Sequence, residues 1–351
     1  MMTETEIQKP EPAAHARASI KDVAIHAGVS AQTVSRVANR ATNVRPDTRD
    51  KVLASMKALG YRPNSAARNL KSGRFRSIGV VTFSLTTLGN ERTLDAVAEA
   101  ASTAGYTTTL LPVLDPTQLD VAGAFGRLEE QAVDGIILIM SAEVESPEKL
   151  QLTAGLPLVI VDSDGSQPYN IVDTDQEQGA RLATRHLIEL GHKDILHVSG
   201  PAISFSAKRR AEAYLHTMKA AGLDAPPVLR GDWTAASGVA VGRQIAAGEH
   251  PPTAVFAAND QMALGIMHAF HERGWQVPGD VSVVGFDDAE DAAAYWPALT
   301  TIHQNFGEVG KRATALLLSM IDGKAAPKNK LIPTDLVVRS STGPVRGQLS
   351  S

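Results

Sequence analysis

Gln32, Thr33, Ser35, Arg36 and Asn39 crowd one short segment, AQTVSRVAN. Each can donate a hydrogen bond to a base edge or a phosphate oxygen, where a buried helix would carry apolar groups. A second set lies far down the chain, at the ends of apolar runs. It comprises Asp162, Asp232 with Trp233, Asn259 with Asp260, and Asp287 with Asp288, followed by Arg210 and Gln304. Carboxylates, amides, an arginine and an indole suit a polyhydroxylated ring. Its hydroxyls need paired donors and acceptors, and its apolar face stacks on an aromatic. Other polar ligands would accept the same groups. For any single residue the alternative is a turn former at a strand end. That alternative is the stronger one for Asp164, Asp260 and Asp288, and the weaker one for Trp233.

The first set is positioned by helical signals. Ser19 is an N-cap with Asp22 as its capping partner, and Ile20, Val23, Ala24 and Ala27 fall on one face. Gly28 ends that helix, and Ser30 caps the next, from Ala31 to Asn39, with Val34 and Val37 left to pack inward. Two helices joined by so tight a turn form a helix-turn-helix, whose second helix can lie in a major groove. Pro46 opens a third helix running to about Leu59, with Val52, Leu53, Met56 and Leu59 inward, and Gly60 stops it. After Tyr61, Arg62 and Pro63, Asn64 caps one more short helix, SAARNLK, ending at Gly73. It is too short to stand alone. Its Leu70 is either a wedge for a minor-groove step or a plug for the following domain.

Charge favours nucleic acid. From Arg17 to Arg76 there are 13 Lys or Arg against 3 Asp or Glu, a net of +10; the whole chain carries −4, leaving −14 for the rest. A basic head on an acidic body is the asymmetry of a nucleic-acid binder.

The second set must be held by a different architecture. From Ile78 onward, short apolar β-branched runs alternate with helical segments closed by glycine. Expected strands are IGVVTF (78–83), TTTLLPV (107–113), GIILIM (135–140), LVIVD (158–162), NIVDTD (170–175), ILHVSG (195–200), VLRGDW (228–233), AVFAAND (254–260), VSVVGFDD (281–288) and LIPTDLVV (331–338). Strands apolar throughout are covered on both faces, as in α/β doubly wound folds with parallel sheets. The length fits two lobes of ~110–130 residues better than one sheet. The expected organisation is a disordered leader at 1–17, a helix-turn-helix domain at 18–63, a hinge helix and linker at 64–76, a two-lobed domain at 77–340 and a loose tail at 341–351.

Enzyme readings fail on specifics, and no catalytic residue or cofactor is expected. GEVGKR at 307–312 resembles half a phosphate loop, but Asn305 replaces the first glycine and Arg312 the Ser/Thr. HExxH, GxSxG and a strand-following GxGxxG are missing. The histidines are scattered and no metal site is expected; GFDDAED reads as a sharp turn rather than an ion site. The chain has no cysteine, which excludes disulfides and thiolate chemistry. No apolar run reaches the roughly 18 residues of a membrane span, and the leader has no apolar core of a signal peptide. A cytoplasmic protein, located with the DNA, is expected.

The motifs resemble the lactose-repressor (LacI) family from Ile20 to about Arg339. The head DVAIHAGVSAQTVSRVANR and hinge RPNSAARNL are followed in order by IGVV, VDGIIL, HLIELGHKDI, ANDQMALG, VSVVGFDD and LTTI. The resemblance implies a homodimeric repressor with a periplasmic-binding-protein-like core. Its lobes would be joined by three crossovers, near residues 160–175, 285–305 and 330–335. It also implies that the hinge helices form on a pseudo-palindromic operator in double-stranded DNA and that Leu70 enters the minor groove. On that basis the DNA surface comprises Ser30, Ala31, Gln32, Thr33, Ser35, Arg36, Asn39, Asn43, Asn64, Ala67 and Leu70. Gln32 and Arg36 read bases, while Thr33, Ser35 and Asn39 touch mainly backbone.

SGPAISFSAKRR, GDWTAASG, ANDQMALG and FDDAEDAAAYWPALTTIHQNF look closest to the member that gives the family its name. They carry effector roles onto Asp162, Arg210, Trp233, Asn259, Asp287, Gln304 and Phe306. Arg210, Asp162, Asn259 and Asp287 would hold hydroxyls, and Trp233 and Phe306 would pack the ring of a galactoside-type inducer. Another sugar, or sugar binding without regulation, is the alternative. Three departures stand out. Ala31 replaces a tyrosine at the first base-reading position. FSLTTLGNERT (83–93) lacks an apolar cluster for the sugar's other side, and Thr174 stands where an aromatic residue is expected. A leucine-heptad tail for tetramers is also missing, so a dimer is expected.

Overall fold

The computed structural model describes residues 18–39, 41–61, 73–85, 87–113, 118–140, 156–163, 169–324 and 330–345. The expected leader, the hinge positions Asn64, Ala67 and Leu70, Asp164 and the end of the tail lie outside the described residues. The chain divides into two units, Met1–Arg74 and Phe75–Ser351.

In the first unit, α1 (Ile20–Ala27), α2 (Ala31–Ala38) and α3 (Pro46–Ala58) enclose a small core of Val23, Ala24, Ala27, Val34, Val37, Val52 and Met56. Ser19 and Asp22 form a reciprocal capping box on α1, and Gly28 ends it in the left-handed conformation at φ 65°. Ser30 caps α2 by accepting from the Thr33 N–H at 3.1 Å. One expectation fails in α3: Leu53 is exposed and Ser55 is buried instead. Val52, Ser55, Met56 and Leu59 follow the i, i+3, i+4, i+7 stripe that faces α1 and α2, and Leu53 falls off it.

The second unit holds two parallel sheets. The first lobe's sheet runs in the order β11-β5-β4-β3-β1-β2, with β1 Ser77–Thr82, β2 Thr107–Pro112, β3 Gly135–Ile139, β4 Leu158–Val161, β5 Asn170–Thr174 and β11 Lys330–Ile332. Alternate side chains divide between its faces. Ile137 and Ile139 pack beneath α4 (Leu88–Thr103) and α10 (Phe306–Ile321), and Ile136 and Leu138 beneath α5 (Gln118–Glu130).

The second lobe's sheet runs β7-β6-β8-β9, with β6 Ile195–Ser199, β7 Leu229–Arg230, β8 Ala254–Ala257 and β9 Ser282–Val284. Its helices are α6 (Gln176–Glu189), α7 (Phe205–Ala220), α8 (Ala235–Ala246) and α9 (Asp260–Glu272). Val255 and Ala257 face one core, Ala254 and Phe256 the other. A small antiparallel pair, β10 (Thr301–His303) and β12 (Asp335–Val337), completes it.

The chain crosses between lobes at 174–176, 303–306 and 332–335. The third crossing divides the run read as one strand, LIPTDLVV, into β11 in one lobe and β12 beside the other. The expected strand 228–233 shrinks to two residues. Asp232 turns the chain by accepting from the Thr234 N–H (3.0 Å) and hydroxyl (2.6 Å). The 307–312 segment forms the first turns of α10, capped by Asn305 and with Glu308 paired to Arg312, and is not a phosphate loop. Among the described residues no helix is long and apolar enough to cross a membrane.

Candidate nucleic-acid interface and ligand cleft

In the head, Val34 and Val37 anchor α2, which turns Ala31, Gln32, Arg36 and Asn39 outward with Ser30 and Asn43; Thr33 and Ser35 are half-buried. Some of these groups hold one another. Ser30 Oγ lies 3.0 Å from Thr33 Oγ1, and Asn39 Nδ2 donates to Ser35 Oγ at 3.4 Å. Arg36 and Gln32, on adjacent turns of α2, form the outward donor pair.

In the second unit, a cavity of about 310 Å³ lies at the carboxyl ends of the strands of both sheets, where open parallel sheets bind ligands. Its lining includes all seven residues assigned by resemblance: Asp162, Arg210, Trp233, Asn259, Asp287, Gln304 and Phe306.

A closed ring of polar contacts forms one wall. Arg210 Nε donates to Gln176 Oε1 at 2.8 Å, Gln176 Nε2 to Gln304 Oε1 at 3.2 Å, and Gln304 Nε2 to Asp287 Oδ1 at 2.6 Å. Asp287 Oδ1 stands 3.8 Å from Arg210 Nη1. Arg210 also donates to the Ala258 carbonyl, and its guanidinium lies 3.8 Å over the ring of Phe286 and 5.6 Å from that of Trp233. Burial pushes the Asp287 carboxyl up to about 6, with Arg210 opposing.

The opposite wall carries Asp162, just past β4 at φ 57°. Its Oδ1 is buried without a hydrogen-bond partner. Burial, reinforced by Asp173, pushes its carboxyl up to about 7.

Asn259, which lines the cavity, is also a bracket. Its Oδ1 accepts from the Met262 N–H, capping α9, and its Nδ2 donates to the Trp233 carbonyl, both at 3.0 Å. The 83–93 stretch is not devoid of apolar lining, because Phe83 and Leu88 face the cavity alongside Ile139, Val161 and Val309. Asp260 does not line it. It is fully buried and clamps the turn after β9 through the Ala289 N–H (2.7 Å) and Thr301 hydroxyl (2.5 Å).

Gln176, Asp173, Ser206 and Asn90 line the cavity and were not singled out from the sequence. Asp173 follows the same strand-end rule, near the end of NIVDT, and Gln176 opens α6 two residues past that strand. Ser206 carries a sequence signal as well, one helical turn before Arg210. Asn90 carries none.

A helix-turn-helix head on a chain whose core is two parallel-sheet lobes around a polar cleft defines a DNA-binding regulator. Residues 19–64 match the profile of bacterial regulatory proteins of the lacI family, and residues 184–342 that of a periplasmic binding protein-like domain. The chain is 36% identical over 327 residues to the lactose operon repressor of Escherichia coli (strain K12), covering 92% of this chain and 90% of that one. It is 37% identical over 333 residues to the HTH-type transcriptional repressor PurR of Pasteurella multocida (strain Pm70), covering 92% and 98%.

Among solved structures, it aligns with the lac repressor dimer bound to operator and the anti-inducer ONPF at a TM-score of 0.86 and 36% identity, over 93% of this chain and 100% of that one. It aligns with the transcriptional regulator CelR–cellobiose complex at 0.70 and 31% identity, over 93% and 100%. The chain belongs to the LacI family of bacterial regulatory proteins and is a DNA-binding transcriptional repressor of that family.

Proposed function

We propose that this repressor is a homodimer that binds a pseudo-palindromic operator and is released by a small neutral sugar, of galactoside type, held in the cleft. One head from each subunit reads a half-site. Gln32 and Arg36 meet base edges, and Thr33, Ser35 and Asn39 meet mainly backbone, with Ser30, Ala31 and Asn43 beside them. The hinge residues Asn64, Ala67 and Leu70 are assigned to the same surface by the family resemblance alone.

The observation that carries the effector reading is the balance of groups around the cavity. Asp162, Asp173 and Asp287 face it against one arginine, Arg210, with Trp233, Phe306, Phe83 and Leu88 as apolar walls. Carboxyl groups pair with ligand hydroxyls in either protonation state, and a single arginine offers a phosphate or carboxylate ligand little positive charge. The relatives differ in effector by name, from the lactose operon repressor to the CelR–cellobiose complex, so the choice rests on this balance. The sugar acts only through its unequal affinity for two lobe arrangements, a coupling of ~1–3 kcal/mol in typical cases.

The test is fluorescence anisotropy of a labelled palindrome taken from upstream of this protein's own gene, at fixed salt. Lactose, allolactose, galactose, melibiose, cellobiose and a sugar phosphate are added in turn. Release by a galactoside supports the reading. Release by cellobiose alone, or by the phosphate, replaces the effector; tight binding with no release leaves a repressor with a different ligand. Arg210→Ala should bind operator normally and no longer release.

A further inference from the structure

We infer that Arg209, bridging to Asp173 and Asp162, is the positioning residue through which occupancy of the cleft acts on the lobe-to-lobe arrangement. This rests on the reading of the cleft as the effector site.

Residues four apart share a helical face, and the first two turns of α7 sort into two such pairs. Ser206 and Arg210 line the cavity. Phe205 and Arg209 leave it and reach the first lobe: Phe205 is part of the core beneath β3 and β4, and Arg209 donates through Nη2 to Asp173 Oδ2 on β5. The same Nη2 lies 3.8 Å from Asp162 Oδ1. A helix of the second lobe is therefore docked on the first by one aromatic ring and one cation, a turn apart.

The bridge sits behind the cavity wall. Asp162 and Asp173 line the cavity and Arg209 does not. Arg209 Nε and Asp162 Oδ1 are both buried without a hydrogen-bond partner, and Asp173 Oδ1 is occupied by the Thr174 N–H at 2.7 Å. Both carboxylates thus touch the cavity and the cation, but both oxygens of Asp173 are engaged, whereas Asp162 Oδ1 is open to a ligand hydroxyl. A ligand hydroxyl donating to it draws charge from the acceptor that Arg209 faces, and so changes the strength of a buried ionic contact between lobes. Such contacts are highly sensitive to the loss or gain of one partner, because the medium around them screens little.

The experiment compares the parent with R209M, which removes the cation from behind the cavity wall, and with R209K, which keeps it. Operator affinity without sugar and the sugar midpoint for operator release are read by anisotropy. Sugar binding itself is read by Trp233 fluorescence, and folding by thermal melting.

The expected result for R209M has three parts: sugar affinity within about threefold of the parent, a release midpoint shifted at least tenfold, and a changed sugar-free operator affinity. R209K should recover part of the shift. Operator affinity and release matching the parent in a folded R209M would overturn the assignment, as would parallel loss of sugar binding and release. Should no sugar displace the parent, the proposed effector is wrong, and the sugar-free operator comparison still decides the bridge.

Discussion

Asn259 Nδ2 donates to the Trp233 carbonyl at 3.0 Å, so the residue that caps α9 also holds the backbone that carries the indole of the cleft. Trp233 has φ 77°, a left-handed conformation that a bulky side chain adopts only when its surroundings enforce it, at a cost on the order of 1–3 kcal/mol. Asn259→Ala removes both functions. It should lower stability by ~1–2 kcal/mol through the lost cap and weaken sugar binding. Asn259→Asp keeps the capping acceptor and deletes the donor. If the tie to Trp233 matters, the Asp variant, whose second oxygen meets the Trp233 carbonyl, loses sugar affinity at least as far as the Ala variant. Denaturant melts and fluorescence titrations separate the two effects, and parent-like affinity in the Asp variant would sink the tie.

Gly200 tests the indole from its other side. A Cβ at Gly200 would overlap the six-membered ring of Trp233, so the ring must leave its place in Gly200→Ala. Sugar affinity should fall at least tenfold, roughly the effect of misplacing one aromatic wall worth about 1.5 kcal/mol. Operator affinity without sugar should stay within threefold. Unchanged sugar affinity by titration would remove Trp233 from the site.

The strands were legible because both sheets are covered on each face, so runs such as GIILI and AVFA are apolar throughout and need no tertiary information to be read. The failures have local causes. VLRGDW reads as a strand until Asp232 is seen to turn its own backbone. LIPTDLVV reads as one strand because nothing in it marks the passage between lobes. In the site, Asp162, Asn259 and Asp287 follow from the strand-end rule. The ring that joins Arg210, Gln176, Gln304 and Asp287 does not, since it depends on residues 34 and 128 positions apart meeting across two crossovers. Nothing local distinguishes Arg209 from Arg210; helix phase alone sends them to different lobes.

Arg36 on α2 is exposed while its neighbours Val34 and Val37 form the head's core. Arg36→Ala should therefore leave the melting temperature unchanged and reduce operator affinity by ~1–3 kcal/mol, relaxing sequence preference at one position of each half-site. Competition binding against single-base operator variants checks this. A uniform loss across all variants, with a shallower salt dependence, would make Arg36 a phosphate contact instead.

Asp260 gives the chain a pH dependence with a definite sign. Burial first, and Asp287 next, push its carboxyl up to about 8, against about 3.9 in an unfolded chain. The folded state thus holds a proton that the unfolded state releases, so this contribution is whole below pH ~4 and is lost as pH rises through about 8. Asp162, at about 7, acts in the same sense. His197 acts oppositely. Burial depresses it to about 3, so its contribution is whole above pH ~6.5 and lost as pH falls. Asn at position 260 can still accept from the Ala289 N–H and donate to the Thr301 hydroxyl, both of which Asp260 engages. Asp260→Asn should therefore match the parent near pH 4 and exceed it at pH 8.5 by about 2–5 kcal/mol. Denaturant melts across that range read the difference. Parallel curves for parent and variant would mean that Asp260 is ionised in the folded protein.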